Sequence, residues 1–157
     1  MDAAALPPTS SATPPDDFEL PAWGRKLVWA ALFPFVMSGA LSLIVRAEVL
    51  PFVTLALASY AGVVVSLLGG VHWGLAMRRA DREAGRYAWG VIATLCAWVG
   101  VVMPAYAGLV VLGVLLVATY LVDRKVYPRE GLAPWLTLRF RFTALAALSC
   151  FIAAANA

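Results

Sequence analysis

Residues 50–77 form a run of 28 positions without a single Asp, Glu, Lys or Arg. A soluble helix keeps a polar face toward water, so an uncharged run this long has no place on a globular surface. A bilayer core is ~30 Å thick, and a helix rising ~1.5 Å per residue crosses it with about 20 apolar residues. This run exceeds that length, so it tilts, kinks or protrudes past the headgroups. Four further apolar stretches approach or meet the requirement. Hydrophobic residues make up 62% of the 157 and charged ones 13%, where a soluble domain is nearer half and a quarter. The reading is an all-α polytopic membrane protein, a bundle of five transmembrane helices at about 27–45, 50–77, 87–103, 105–122 and 134–155.

The connections are short. Pro51 suits the first turn of the second span, and Pro104 with its neighbours separates the third span from the fourth. Pro34 lies inside the first span, where its missing N–H predicts a kink. Asp123, Arg124 and Lys125 close the fourth. The last span begins at Pro134 with Arg139 and Arg141, whose side chains snorkel to the headgroups. Residues 1–22 hold five of the ten prolines with Ser, Thr and the acids Asp16 and Asp17, a composition expected to stay disordered. They carry neither a basic-then-apolar signal pattern nor the arginines of a mitochondrial presequence, so they read as a cytoplasmic tail.

Basic residues fix the orientation. With alternating helices, Arg25, Lys26, Arg78, Arg79, Arg82, Arg86, Arg124, Lys125, Arg129, Arg139 and Arg141 fall on one side and Arg46 alone on the other. Eleven against one places the N-terminus in the cytoplasm and the C-terminus outside. The expected location is a bacterial inner membrane. Cys96 and Cys150 lie inside apolar runs and read as small buried hydrophobes without a disulfide.

Two patterns stand out in the second span. Ala58, Gly62, Ser66, Gly70 and Gly74 recur every four residues, a small-residue stripe that lets another helix approach closely. Packing against a helix of the same chain is the simplest use, and a dimer seam or substrate groove the alternative. His72, the only histidine, sits one to two turns from the cytoplasmic end, where an imidazole is either satisfied by a neighbouring polar group or takes part in a proton-linked step. At similar depth lie Trp73, Asp123, Trp135 and Arg139, a candidate polar or ligand cluster, with an Asp123–Arg139 pair as its sharper form and an ordinary aromatic belt as its blander one. No metal site and no cofactor is expected: one histidine and no acid or thiol cluster give neither zinc spacing nor paired haem ligands. GxSxG, HExxH, CxxC and GxxxxGK signatures are all absent, and with them any positive sign of catalysis.

Several residue patterns are similar to those of a known family. Leu32-Phe33-Pro34-Phe35 resembles its first-helix pattern, and Ser66-Leu67-Leu68-Gly69-Gly70-Val71-His72-Trp73-Gly74 its central signature. Asp123, Pro134-Trp135, Leu138-Arg139 and Thr143 resemble its C-terminal pattern; Arg141 departs from it. The family is the transmembrane protein 69 family, a multi-pass domain of unknown function in bacteria and mitochondria, and the resemblance covers residues 22–155. It implies a membrane bundle and no reaction. Three functions follow in order: a non-enzymatic accessory or assembly component that meets lipid, a protein partner or a second copy in the membrane; a small-solute or proton-linked carrier or channel using His72; and an intramembrane lipid enzyme. Nucleic acid is not an expected partner.

Overall fold

The computed structural model describes residues 21–79 and 84–157, without the side chains of Arg79 and Ala84. The tail up to residue 20 and the loop at 80–83, Arg82 included, lie outside the described residues. Five helices follow one another: α1 (Ala22–Ile44), α2 (Leu50–Arg79), α3 (Ala84–Val102), α4 (Ala105–Val126) and α5 (Trp135–Asn156), with a 3-10 turn at Tyr127–Glu130 between the last two. All five are long and apolar enough to cross a membrane, and there is no strand among the described residues. The fold is an all-α five-helix bundle.

Helix ends follow local chemistry. Pro21 and Pro104 stand just before α1 and α4, where a missing N–H costs nothing because the first turn's donors lack intrahelical partners. α1 continues through Pro34. The 3-10 turn ends at Gly131, whose φ of 72° is left-handed backbone that a side chain would strain. α4 runs four residues beyond Val122, because Asp123 turns inward while Arg124 and Lys125 face out. The trio Asp123, Arg124, Lys125 is thus not a polar stop.

Helices consecutive in the chain alternate in direction, so the packed pairs α1 with α5 and α2 with α4 each run parallel. A Cβ on Gly24 would stand 3.6 Å from Trp135, and one on Gly39 3.0 Å from Ser149 Cβ. Phe35 is fully buried where α1, α2 and α5 meet, edge-on to Tyr60 and Phe142 with ring centroids 5.2 and 5.9 Å away. Leu57, Val65, Leu109, Leu112 and Leu116 fill the same core. Outward faces carry Leu27, Phe33, Phe52, Leu67, Trp98 and Leu148, the surface that acyl chains would solvate. Inside such a solvent helices associate by close packing rather than by a hydrophobic drive.

Glycine carries much of that packing, though not as the four-residue stripe implied. A Cβ on Gly62 would meet Val101 of α3 at 2.6 Å, and one on Gly69 would meet the Gly90 carbonyl oxygen at 3.1 Å. Ala58 and Gly62 are buried and Ser66 is half-buried. Gly70 and Gly74 are exposed, and a Cβ on either would have nothing within 4 Å. The reason is helical drift. Steps of four residues overshoot a turn by roughly 40°, so five positions wander roughly 160° around the helix. Gly70 and Gly74 therefore take no part in packing within the chain.

Candidate functional site

Three helices each bring one ionisable side chain to a common point. His72 comes from α2, Asp123 from α4 and Arg139 from α5, exposed by only 1%, 1% and 8%. His72 Nε2 stands 2.9 Å from Asp123 Oδ1, and Arg139 Nε donates to Asp123 Oδ2 at 2.8 Å. Both carboxylate oxygens are thus used. A carboxylate that is ionised only accepts, so against an ionised Asp123 the facing Nε2 is the donor of this bond.

Two threonines complete the cage. Arg139 donates through one terminal nitrogen to Thr143 Oγ1 and through the other to Thr119 Oγ1 at 3.1 Å. Thr119 donates its own hydroxyl proton to the Leu116 carbonyl at 2.8 Å. These partners follow from helical spacing. Thr119, Asp123 and Tyr127 stand four residues apart on the inner face of α4 and the turn after it, as do Arg139 and Thr143 on α5. Phe140 and Arg141, one and two positions on, point outward. Tyr127 is buried beside Asp123 and Arg139.

The electrostatics are close to balanced. One carboxylate and one guanidinium cancel, and the imidazole adds no charge while neutral. At an effective permittivity near 20, opposite charges about 4 Å apart attract by ~4 kcal/mol, which offsets part of the desolvation cost of both. Nearer the end of the bundle a second acid is held: Glu130, with a fully buried side chain, accepts from Arg86 at 2.8 Å and lies 3.7 Å from Arg78. Polar groups therefore continue from the buried triad to the basic end. In the other direction the interior passes to Leu116, Leu112, Leu109 and Phe35.

The two tryptophans of the expected cluster are engaged elsewhere. Trp73 Nε1 donates to the Tyr87 carbonyl at 2.8 Å, and its ring meets Tyr87 edge-on at 5.8 Å, on the α2–α3 side. Trp135 lies against Gly24 at the start of α1. Ser66 and Ser149, the hydroxyls in question for an enzyme, donate to the Gly62 and Leu145 carbonyls at 2.9 Å each. Among the described residues no group of three or more His, Cys, Asp or Glu is placed to hold a metal ion. Sequence reasoning missed Thr119, Thr143, Tyr127, Arg86 and Glu130 as site residues. The repeated four-residue spacing toward Asp123 and Arg139 was the signal available.

The arrangement seats one imidazole against a fixed carboxylate that a guanidinium also binds. No curated protein and no solved structure matches the chain. A family described as a protein of unknown function, DUF3429, matches residues 21–155. The chain is a member of the DUF3429 family.

Proposed function

We propose that this is a non-enzymatic membrane component whose working group is His72, binding and releasing a proton against Asp123 from the basic end of the bundle. The observation that carries this reading is the His72–Asp123–Arg139 network buried among helices long and apolar enough to cross a bilayer. Ionisable side chains at that depth are costly and recur at proton sites. Imidazole is the side chain whose ordinary titration lies near neutrality. The apolar interior beyond Thr119 and Thr143 supports proton exchange with one side over conduction across the membrane. The reading includes a bacterial inner membrane, a cytoplasmic basic end and kinship with the transmembrane protein 69 family, on the residue patterns given above.

Because His72 is the only histidine, nitrogen-15 NMR of histidine-labelled protein in lipid nanodiscs reads it directly. The expected result is one reversible protonation step of that imidazole over the pH range in which the protein stays folded. An imidazole that keeps one protonation state throughout refutes the reading.

A second role, as a partner-binding component, is favoured by the exposed Gly70 and Gly74. Native mass spectrometry tests it: a stoichiometric partner or second copy is expected to be lost in Gly70→Leu, and a chain that is monomeric before and after the change refutes it.

A further inference from the structure

Arginine keeps its charge, so each one beside lipid needs an anion or water. The described residues hold three side-chain carboxylates, Glu48, Asp123 and Glu130. Asp123 meets His72 and Arg139, Glu130 meets Arg86 and Arg78, and Glu48 lies at the opposite end of the bundle. Arg25 and Arg141 are exposed, and neither pairs with a described acid. Arg141 is the more unusual of the two, since it stands six residues, or ~9 Å, inside the start of α5.

Both arginines border the same seam. On α5, Arg139 turns into the core and Phe140 meets Tyr120 of α4, with ring centroids 5.6 Å apart. A further ~100° of rotation takes Arg141 to the side away from α4. There it shares a row with Leu145 and Ser149, and Ser149 is where Gly39 of α1 closes on α5. On α1, Arg25 and Trp29 share a row with Leu32, which is buried, while Trp29 is 45% exposed. The two helices run parallel with Gly39 level with Ser149, so Arg141 lies ~9 Å deeper along the axis than Arg25. Two arginine side chains with a phosphate between them span that gap. Farther in, the seam is bordered by the exposed apolar side chains of Leu145 and Leu148.

We infer that the outer edge of the α1–α5 seam binds an anionic phospholipid, its phosphate between Arg25 and Arg141 and its chains along Trp29, Leu145 and Leu148. Phosphate oxygens suit the guanidinium fork, which donates two parallel hydrogen bonds. Two cations without a described counter-charge favour a headgroup of net negative charge over a zwitterionic one, which brings its own cation. The seam edge faces acyl chains, so it is reached from the bilayer, which selects a lipid phosphate over a soluble anion. His72 takes no part, and the site is independent of the proton reading above.

Native mass spectrometry of the full chain in mild detergent, titrated with dioleoylphosphatidylglycerol or dioleoylphosphatidylcholine, tests this. One phosphatidylglycerol per chain is expected to be retained in preference to phosphatidylcholine. Arg25→Gln and Arg141→Gln are each expected to weaken that retention about tenfold, the least that a lost charge-assisted hydrogen bond is worth. The double variant is expected to lose less than the product of the two, because both side chains hold one phosphate. Lys26→Gln, next to Arg25 but ~100° round the helix, is expected to change nothing. All three side chains are exposed, so the bundle does not depend on them. An equal loss in Lys26→Gln overturns the site in favour of a diffuse basic surface. Losses that multiply overturn it by assigning the two arginines to separate lipids. Equal retention of phosphatidylcholine overturns the anionic headgroup, and displacement of the lipid by excess inorganic phosphate overturns the choice of a lipid over a free anion.

Discussion

Asp123→Asn is the sharpest single change to make, because it removes one charge and almost no volume. The carboxylate now accepts from two donors, His72 Nε2 at 2.9 Å and Arg139 Nε at 2.8 Å. An asparagine has one accepting oxygen. Turned toward Arg139, it presents its NH2 to His72, whose ring answers by moving its proton to Nδ1 and accepting at Nε2. The imidazole therefore adapts. The guanidinium does not, since it stays charged in a site 8% exposed with its counter-charge gone. Removing one partner of a buried pair costs ~3–5 kcal/mol, most of it the uncompensated charge left behind. For a chain of this size ~2–4 °C of melting temperature accompanies each kcal/mol, so a drop of ~6–20 °C is expected. Cys150 is fully buried, so in a Cys96→Ala background its reaction with a thiol-sensitive dye during heating reports the unfolding. Replacing both charges together, Asp123→Leu with Arg139→Met, is expected to recover most of the loss. An Asp123→Asn protein melting within a degree or two of wild type would refute the argument, because it would mean water already reaches Arg139.

Other changes give equally definite outcomes. Gly108→Ala drives a methyl against the Gly100 carbonyl and is expected to cost ~2 kcal/mol or more, while Gly74→Ala meets nothing within 4 Å and is expected to gain up to ~1 kcal/mol from helix propensity; the same thermal assay compares them, and equal effects would contradict the packing. Thr143→Val takes an acceptor from Arg139 and should lower stability by ~1–3 kcal/mol in that assay. Gly131→Ala forces a side chain into left-handed backbone, with an expected loss of ~1–2 kcal/mol. In a cysteine-free chain, a cysteine at Ala47 is expected to react with an impermeant maleimide on intact cells and one at Lys125 only after permeabilisation; the reverse pattern would invert the orientation drawn from the basic residues.

The bundle was legible in the sequence because its signal is one-dimensional: an uncharged run such as 50–77 states its own solvent. The site was legible only in part. Asp123 stands next to Arg124 and Lys125, and along the chain the three look like one polar boundary. A rotation of about 100° per residue separates them, so that Asp123 enters the core while its neighbours reach outward. Trp73 and His72 are adjacent in sequence and part for the same reason. The small-residue stripe packs within the chain only over its first part, through the gap between a period of 4 and one of 3.6, which put Gly69 rather than Gly70 against α3. Thr119 and Thr143 gave only the weak signal of four-residue spacing toward Asp123 and Arg139, since a threonine in an apolar helix ordinarily bonds to its own backbone.

The parallel seam of α1 with α5 has a bearing on how the protein is made. Gly39 closes on Ser149, a residue that a ribosome reaches only after polymerising the three helices between. At ~5–20 residues per second, the first helix waits for roughly 5–20 s before that partner is synthesised. During the wait its Gly39 face is covered by lipid or by the insertion machinery, and α1 has to hold its place in the bilayer on its own apolarity, for which a mean hydropathy of 2.0 over its best window is ample. α5 then docks on a helix that entered the bilayer before it, with three others synthesised in between.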